Sequence, residues 1–303
     1  MSPIRIGVIG MGKIARDQHL PAIKGNPRFE LAATVERAGE PSELNFTDYR
    51  EMLRSADLSA VAITTPPGPR YAIARDCLEA GKHVLLEKPP TATLAEIADL
   101  GERAAERGLT IFTSWHAQHN AAVAEAEKLL RGRRVETMQI TWHEDVEKWH
   151  PGQRWIWQAG GFGVFDPGIN ALSIVSKVFP GSLFVRSANL LFAEGADTPI
   201  AADIRFESPD SDGPLVCSLD WRRPEGEEWS IALNAGGSSV VLLDGGSRLV
   251  VDGVEQPTPG LGEYPDIYRR FAALIDNGQS DVDMIPLRLV ADCLLVGSRR
   301  VAR

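Results

Sequence analysis

The stretch IRIGVIGMGKIA, Ile4 to Ala15, decides the fold. It opens with an almost continuous apolar run, which is typical of a strand buried in a parallel sheet. The residues from Gly10 to Ala15 then match the pattern G-x-G-x-x-G/A, in which glycines allow a tight turn and the N-terminus of the next helix faces a pyrophosphate. An acid, Glu36, follows the next apolar run about 20 residues later. Strand, glycine loop, helix and acid together predict a dinucleotide-binding site.

Strand and helix signals alternate from this stretch to about residue 115. Four more strands are predicted, in the segments FELAATV, LSAVAITT, HVLLE and LTIFTS. Thr93 and Glu96 fit a capping box at the start of a helix between two of them. Strands that alternate with helices predict a doubly wound parallel sheet of the Rossmann type.

The pattern changes after about residue 120, where longer strands alternate apolar and polar residues. This alternation predicts a large open, mainly antiparallel sheet, followed by helices over 265–277 and 286–299. We therefore predict an α/β protein with a dinucleotide-binding Rossmann domain over residues 1–119. A substrate-binding and oligomerisation α/β domain is expected over residues 120–303.

The carboxylate of Glu36 bears on the choice of cofactor. It can accept hydrogen bonds from the ribose hydroxyls and repels a 2′-phosphate, which favours NAD. Arg37, its neighbour, could stack on adenine or pair with that phosphate, so NADP use stays open. In open α/β sheets ligands lie beyond the carboxyl ends of the strands. The segments TTPP and EKPP follow two such ends, and Trp155 is a candidate for the nicotinamide edge. The predicted cofactor-binding residues are Gly10, Met11, Gly12, Lys13, Ile14, Glu36, Arg37, Thr64, Thr65, Pro66, Pro67, Glu87, Lys88 and Trp155.

Lys88 is the most unusual of these residues. It follows a buried strand and is held by two prolines, which is not the setting of an ordinary surface lysine. Because X-Pro bonds adopt the cis form at modest cost, we predict a cis Lys88–Pro89 bond that directs the amine toward the ligand.

Composition excludes several classes of protein. The net charge is −9 and the pI is about 5.3, which argues against a nucleic-acid or anionic-membrane partner. No run of 18 apolar residues and no signal peptide are visible. The three cysteines, Cys77, Cys217 and Cys293, have the spacing of neither a disulfide framework nor a metal site. We predict a cytoplasmic protein without a metal.

The segments GMGKIA, TTPP and EKPP, in this order, resemble the Gfo/Idh/MocA family of nicotinamide-dependent sugar and inositol oxidoreductases. The resemblance implies a Rossmann domain followed by an open-sheet domain, through which members form dimers or tetramers. The segments WHEDVEKWHPGQRWIW and GGFGVFDPGINALSIV resemble the bacterial aldose 1-dehydrogenases of this family, which act on L-arabinose and D-galactose. Those enzymes oxidise the anomeric carbon to a lactone. The wider family usually has a histidine where this sequence has Asn170, and an amide cannot act as the base.

Oxidation of an aldose requires a base for the C1 hydroxyl proton, and Lys88 and Asp166 are the catalytic candidates. We favour Lys88 to hold the C1 oxygen and Asp166 to take the proton, with the roles reversible. Asp166 and Asn170 are four residues apart and share one helix face, and the glycines before them are expected to bring that turn close to nicotinamide and sugar. The predicted substrate-binding residues are His116, Glu144, Trp149, His150, Asn170 and Trp229.

Two other functions stay open. An inositol or dihydrodiol dehydrogenase of the same family would need the same cofactor, but Asn170 and the tryptophan-rich block do not favour it. A non-catalytic regulator that senses sugar or NAD would have no use for Lys88 with Asp166. The sequence therefore favours an NAD(P)-dependent aldose 1-dehydrogenase, expected to be a homodimer.

Overall fold

The computed structural model describes residues 2–36 and 44–302, so that Arg37 lies outside the described residues. The strands are β1 Ile4–Ile9, β2 Phe29–Val35, β3 Asn45–Phe46, β4 Ala60–Ile63, β5 His83–Glu87, β6 Ile111–Ser114, β7 Val135–His143, β8 Phe184–Phe192, β9 Pro199–Glu207, β10 Leu215–Asp220, β11 Glu228–Ala235, β12 Ser238–Leu243, β13 Arg248–Val251, β14 Val254–Gln256 and β15 Ser298–Val301. The α-helices are α1 Leu20–Gly25, α2 Tyr49–Ser55, α3 Pro67–Glu79, α4 Leu94–Glu106, α5 Ala121–Leu130, α6 Val146–Trp149, α7 Phe165–Val178, α8 Glu263–Asn277 and α9 Ile285–Val296.

The chain divides into two compact units. The first comprises residues 1–116 and 262–284, and the second comprises residues 117–261 and 285–303. The first break lies close to the expected boundary after residue 119. The expected uninterrupted second domain differs from the observed division, because the segment 262–284 returns to the first unit.

The first unit is built on a six-stranded sheet in the order β3-β2-β1-β4-β5-β6. All neighbouring strands in it are parallel, so their carboxyl ends meet at one edge. A π-helical turn, Ala15–His19, precedes α1 and turns the His19 side chain into the core. The predicted capping box forms at α4, where the Thr93 and Glu96 side chains bond each other's backbone amides. The predicted doubly wound parallel sheet of the Rossmann type is thus confirmed.

Helix α8 contributes to the core of the first unit. Tyr264, Ile267, Tyr268 and Phe271 form one buried face that packs with apolar residues of β1 and β2. This packing explains why the segment returns to the first unit, since an amphipathic helix needs an apolar surface on which to bury its stripe.

The second unit is built on a nine-stranded sheet in the order β14-β13-β12-β11-β7-β10-β9-β8-β15. Its described pairs are antiparallel except β7–β10 and β8–β15, which confirms the predicted open, mainly antiparallel sheet. The helix predicted over 286–299 is wrong at its end. It stops at Val296, and Ser298–Val301 instead pairs with β8. The short strands β13 and β14 were not predicted. None of the helices in residues 2–36 and 44–302 is long and apolar enough to cross a bilayer.

Candidate active site

The glycine loop lies between the carboxyl ends of β1 and β4. Gly10 has a φ of +101°, and a Cβ built on it would lie 2.9 Å from the amide nitrogen of Thr65, so that only glycine fits. The single proton of the Thr64 hydroxyl is shared between two acceptors, the Ile9 carbonyl at 3.1 Å and the Gly10 carbonyl. These contacts fix the loop against the end of β4.

The loop also has features that fit a dinucleotide. Apart from the two chain neighbours of Gly12, no atom of residues 2–36 and 44–302 lies within 4 Å of the position that a Cβ of Gly12 would take, which allows a ligand to approach the backbone there. The Thr65 hydroxyl is buried and has no hydrogen-bond partner among the described residues. Lys13 is exposed and pairs with Asp17, while Ile14 is 36% exposed. The open glycine and the unpaired hydroxyl suit a ligand that presents phosphate and ribose oxygens.

Glu36 follows β2, as predicted, and has a partner that the sequence did not indicate. The Nη2 atom of Arg16 lies 2.7 Å from the Glu36 Oε1 atom, and the Arg16 Nε donates a 3.0 Å hydrogen bond to the Met11 carbonyl. The only available signal was the position of Arg16, directly after the last residue of the glycine pattern.

The two proline-rich segments, TTPP and EKPP, are held together by Arg70, which is buried. The Arg70 guanidinium donates hydrogen bonds to the carbonyls of Thr65, Glu87 and Pro89. The Lys88–Pro89 bond is cis, as predicted. Pro66 and Pro67, predicted in the cofactor site, form the start of α3, which carries Arg70. Arg70 therefore positions the backbone on both sides of Lys88.

Glu87 lies in a buried network beneath Lys88. Its Oε2 accepts a 2.8 Å hydrogen bond from the Lys88 amide, and its Oε1 accepts one of 2.7 Å from the Tyr264 hydroxyl. The His19 Nε2 lies 3.1 Å from the same oxygen, and the His19 Nδ1 lies 2.8 Å from the Tyr268 hydroxyl. Burial raises the pKa of Glu87, but hydrogen bonds and nearby histidine charge outweigh this effect, and the pKa falls to about 2. The side chain is thus occupied by protein partners, and the predicted cofactor contact of Glu87 stays a prediction.

His116 lies in the first unit and is paired with a residue of α8. The His116 Nδ1 lies 2.9 Å from the Glu263 Oε2, and the imidazole stacks on the ring of Tyr264 at 5.8 Å. Burial lowers the pKa of His116, but the carboxylates of Glu263 and Glu87 raise it more, while Lys88 lowers it. The net shift is upward, which favours a cationic imidazole close to Lys88.

In the second unit, Glu144 is a buried carboxylate held by two indoles. Its Oε1 accepts a 2.9 Å hydrogen bond from Trp221, and its Oε2 accepts one of 3.0 Å from Trp229. The Trp149 ring meets the Trp229 ring edge-on at 5.8 Å, and Trp149 is 46% exposed. The predicted residues Glu144, Trp149 and Trp229 thus form one cluster, and Trp221 is a member that the sequence did not single out.

His150 and Asp166 adjoin this cluster. The His150 Nε2 lies 3.5 Å from the Asp166 Oδ2, and the His150 ring packs against Trp221 at 5.1 Å. Asp166 is buried in the first turn of α7 and is not the N-cap, which is Val164. The structure therefore brings together the predicted residues Glu144, His150 and Asp166 through Trp221.

Packing within the second unit requires one of the glycines before Asp166. Gly163 has a φ of +53°, and a Cβ there would lie 2.3 Å from the Pro199 carbonyl. The Val164 amide donates a 2.7 Å hydrogen bond to the same carbonyl. Gly163 thus allows the start of α7 to pack closely against the start of β9, and the expected approach of this turn to a ligand stays a prediction. Asn170 follows one turn later and is half-buried.

Trp155 belongs to a 3₁₀ turn, Arg154–Trp157, in the second unit. Its indole nitrogen donates a 3.1 Å hydrogen bond to Gln153, and the ring is half-buried. Its predicted contact with the nicotinamide edge stays a prediction. In the described part of the chain, no group of three or more His, Cys, Asp or Glu residues has the arrangement of a metal site.

Comparison with known proteins identifies the family. The profile of an oxidoreductase family with an NAD-binding Rossmann fold, GFO_IDH_MocA, matches residues 4–114. The galactose 1-dehydrogenase of Pseudomonas fluorescens is 44% identical over 301 residues, which cover 99% of this chain and 97% of that protein. This chain belongs to the Gfo/Idh/MocA family.

Solved structures of other proteins support the same assignment. The crystal structure of the D-galactose-1-dehydrogenase protein from Rhizobium etli is similar with a TM-score of 0.94 and 46% identity, and the match covers 100% of this chain and 97% of that one. A 3-ketoreductase from Actinomadura kijaniata, solved with NADP and TDP-benzene, shares the fold with a TM-score of 0.85 at 19% identity, over 99% and 100% of the two chains. The predicted Gfo/Idh/MocA fold, oxidoreductase class and NAD-binding domain are confirmed.

Proposed function

We propose that this protein is an NAD(P)-dependent aldose 1-dehydrogenase that oxidises a sugar of the D-galactose or L-arabinose type at C1 to the aldonolactone. The observation that carries the proposal is the cluster of Glu144, His150 and Asp166 around Trp221 in the second unit. Buried polar groups next to aromatic faces suit a ligand that has hydroxyls along its ring and apolar C–H surfaces between them. The galactose 1-dehydrogenase of Pseudomonas fluorescens, which matches nearly the whole chain, supports this substrate class.

The first unit would hold the dinucleotide. The loop Gly10–Gly12, the Thr65 hydroxyl and the Glu36 carboxylate would bind its phosphates and ribose. A bound, oxidised nicotinamide would supply the hydride acceptor for C1 of the sugar. The step left to the protein's own side chains is the removal of the proton of the C1 hydroxyl.

Asp166 is the proposed base that takes the proton of the C1 hydroxyl. Lys88 is proposed to hold the C1 oxygen by donating a hydrogen bond to it. An ionised carboxylate accepts a proton, whereas an ammonium group has no acceptor. His150, 3.5 Å from Asp166, would fix the orientation of that carboxylate. Glu144, Asn170, Trp149 and Trp229 in the second unit, and His116 in the first, are the proposed sugar contacts. We accordingly propose the second unit as the substrate-binding domain.

The experiment measures NADH absorbance with a panel of aldoses, inositols and dihydrodiols. We expect D-galactose and L-arabinose to give the largest rates. If NAD⁺ is reduced only with inositols or dihydrodiols, an inositol or dihydrodiol dehydrogenase of this family would be favoured instead. A flat trace with every compound, under conditions in which NAD binds, would favour a regulator that senses its ligands.

The variant Asp166→Asn tests the assignment of the base. We expect kcat to fall by roughly 10²–10⁴-fold, as the loss of a general base predicts, with little change in NAD affinity. Asp212→Asn is the matched control, because Asp212 is an exposed carboxylate of the same unit. Full activity of Asp166→Asn would leave Lys88 as the base, which Lys88→Met would test next.

We also propose a homodimer formed through the uncovered face of the nine-stranded sheet. On β7 and β9 the side chains alternate between buried apolar residues and residues open to solvent, such as Gln139, Asp203 and Arg205. Light scattering after size-exclusion chromatography would give the mass, and a monomer at micromolar concentration would contradict the proposal.

A cytoplasmic location is proposed as well, and three free, buried cysteines are compatible with it.

A further inference from the structure

Arg16 lies at the junction between the glycine loop and the end of β2. Its guanidinium spans the two, with a 3.0 Å hydrogen bond to the Met11 carbonyl and a 2.7 Å ion pair to Glu36. The Arg16 side chain is 51% exposed and that of Glu36 is 36% exposed, so both charges reach solvent at this junction.

The two charges have opposite consequences for the adenosine ribose. A carboxylate at the end of the second strand accepts hydrogen bonds from ribose hydroxyls, whereas a 2′-phosphate would place up to two negative charges beside it. A guanidinium is the side chain best suited to bind phosphate, because its planar fork donates two parallel hydrogen bonds. Arg16 and Glu36 therefore present a phosphate donor and a hydroxyl acceptor at the same place.

We infer that Arg16 determines how the protein discriminates NADP from NAD. With NAD, Arg16 holds the Glu36 carboxylate in position for the ribose hydroxyls. With NADP, the guanidinium exchanges Glu36 for the 2′-phosphate and neutralises its charge. The inference rests on the proposed placement of the adenosine ribose at Glu36, and it predicts use of both cofactors with NAD preferred. It assigns to Arg16 the role that the sequence pattern suggested for Arg37.

The test measures nucleotide affinity without sugar, by calorimetric titration of the full chain with NAD⁺ and with NADP⁺. In Arg16→Met we expect the Kd for NADP⁺ to rise about tenfold or more, as the loss of a charge-assisted hydrogen bond predicts. The Kd for NAD⁺ should rise by less than about threefold, because Glu36 itself remains.

A double-mutant cycle measures the coupling between Arg16 and Glu36 in NADP⁺ binding. Glu36→Ser should tighten NADP⁺ binding about tenfold, because it removes the repulsion while Arg16 stays. In the double variant Arg16→Met/Glu36→Ser that gain should disappear. The matched control is Arg5→Met, because Arg5 pairs at 2.5 Å with Glu30 across the same two strands, β1 and β2, but at their opposite end. It should leave both affinities unchanged.

Three results would overturn the inference. Arg16→Met could weaken NAD⁺ and NADP⁺ binding equally, the gain from Glu36→Ser could persist without Arg16, or the wild-type protein could bind neither nucleotide. If Arg16→Met does not fold by circular dichroism, Arg16→Lys replaces it and should lower NADP⁺ affinity selectively, because an ammonium lacks the fork. If the ratio of the NADP⁺ and NAD⁺ affinities is unchanged in Arg16→Lys, the proposed role of Arg16 in discrimination is refuted. Wild-type binding of both nucleotides without sugar oxidation would instead refute the aldose proposal alone.

Discussion

Glu144 shows how one residue can combine burial with charge. Its two oxygens accept hydrogen bonds from Trp221 and Trp229, so the indoles fix the carboxylate plane while their rings exclude water. A buried carboxylate without such donors would be strongly disfavoured. The sequence predicted Glu144 only as a contact of the sugar. Its two donors come from residues 77 and 85 positions later, which no local pattern indicates.

Glu144→Gln should lower the stability of the protein, although glutamine has nearly the same shape as glutamate. The amide oxygen can accept from one indole, but the NH₂ group then faces the other indole N–H, and one buried donor loses its partner. We expect the free energy of unfolding to fall by about 1–3 kcal/mol. Urea denaturation measures this loss, with Glu147→Gln on the exposed side of α6 as control. Equal stability of the two variants would show that the indoles do not depend on the charge.

Glu87 predicts a specific dependence of stability on pH. Its pKa in the folded protein is about 2, below the ordinary value of 4.5. A carboxylate whose folded pKa is depressed contributes stability that is fully present above the unfolded pKa and is lost as pH falls through the folded pKa. The stability difference between wild type and Glu87→Gln should therefore be largest between about pH 5 and 6 and shrink between about pH 4.5 and 2. It should also fall as pH rises through the raised pKa of His116, because Glu87 stabilises that cation as well. Denaturation curves at several pH values measure it. Glu106→Gln, an exposed control on α4, should show no such slope.

At the scale of the element, the ends of β4 and β5 act as one structure because Arg70 joins them. One buried guanidinium on α3 donates to the carbonyls of Thr65, Glu87 and Pro89. The planar fork of arginine carries donors on separate nitrogens in fixed directions, an arrangement that the three donors on the single nitrogen of a lysine cannot reproduce. The backbone around Lys88 therefore depends on a residue that has no predicted contact with a ligand.

We expect Arg70→Lys to disturb cofactor binding although the charge is conserved. Carbonyls left without donors in the interior cost about 1–3 kcal/mol each, and the segments on either side of Lys88 would lose their alignment. The melting temperature and the affinity for NAD⁺ should both fall. Arg54→Lys on the exposed side of α2 is the control. A variant with wild-type NAD⁺ affinity but lower stability would limit Arg70 to a structural role.

Most elements were predictable because their signals are local. The capping box of Thr93 and Glu96 and the turn at Gly10 depend on residues within one short segment. The error at the end of α9 has the opposite cause. Ser298–Val301 becomes a strand because β8 offers it a free edge, and this tertiary partner outweighs local preference.

The same limit applies to the candidate site. The glycine pattern, Glu36, Lys88 and Asp166 could be proposed from sequence, because each belongs to a short motif. Contacts such as those of Arg16 with Glu36, or of His19 with a tyrosine 249 positions away, depend on the folded chain and were missed.

At the scale of the whole molecule, the chain completes its first unit only near its end. Residues 262–284 return to that unit between the two segments of the second unit, 117–261 and 285–303, and α8 supplies Tyr264 and Tyr268 to the network around Glu87. Sequence periodicity predicts that α8 buries one face, but it does not indicate which core receives it. The nucleotide-binding unit therefore depends on residues far from its glycine loop.

Phe271 tests this dependence. It is fully buried on α8 and stacks on Phe29 at 6.0 Å and on Phe112 at 6.3 Å, so that it bridges strands on both sides of β1. Phe271→Ala should lower the free energy of unfolding by about 3–5 kcal/mol, since it leaves a cavity in that core. Saturating NAD⁺ should restore part of the loss, because a ligand that binds the folded unit stabilises it by mass action. Thermal and urea unfolding with and without NAD⁺ measure both effects. Arg269→Ala, on the exposed side of the same helix, should change stability by less than about 0.5 kcal/mol. If Phe271→Ala were as stable as that control, α8 would be peripheral to the first unit and the proposed dependence would be wrong.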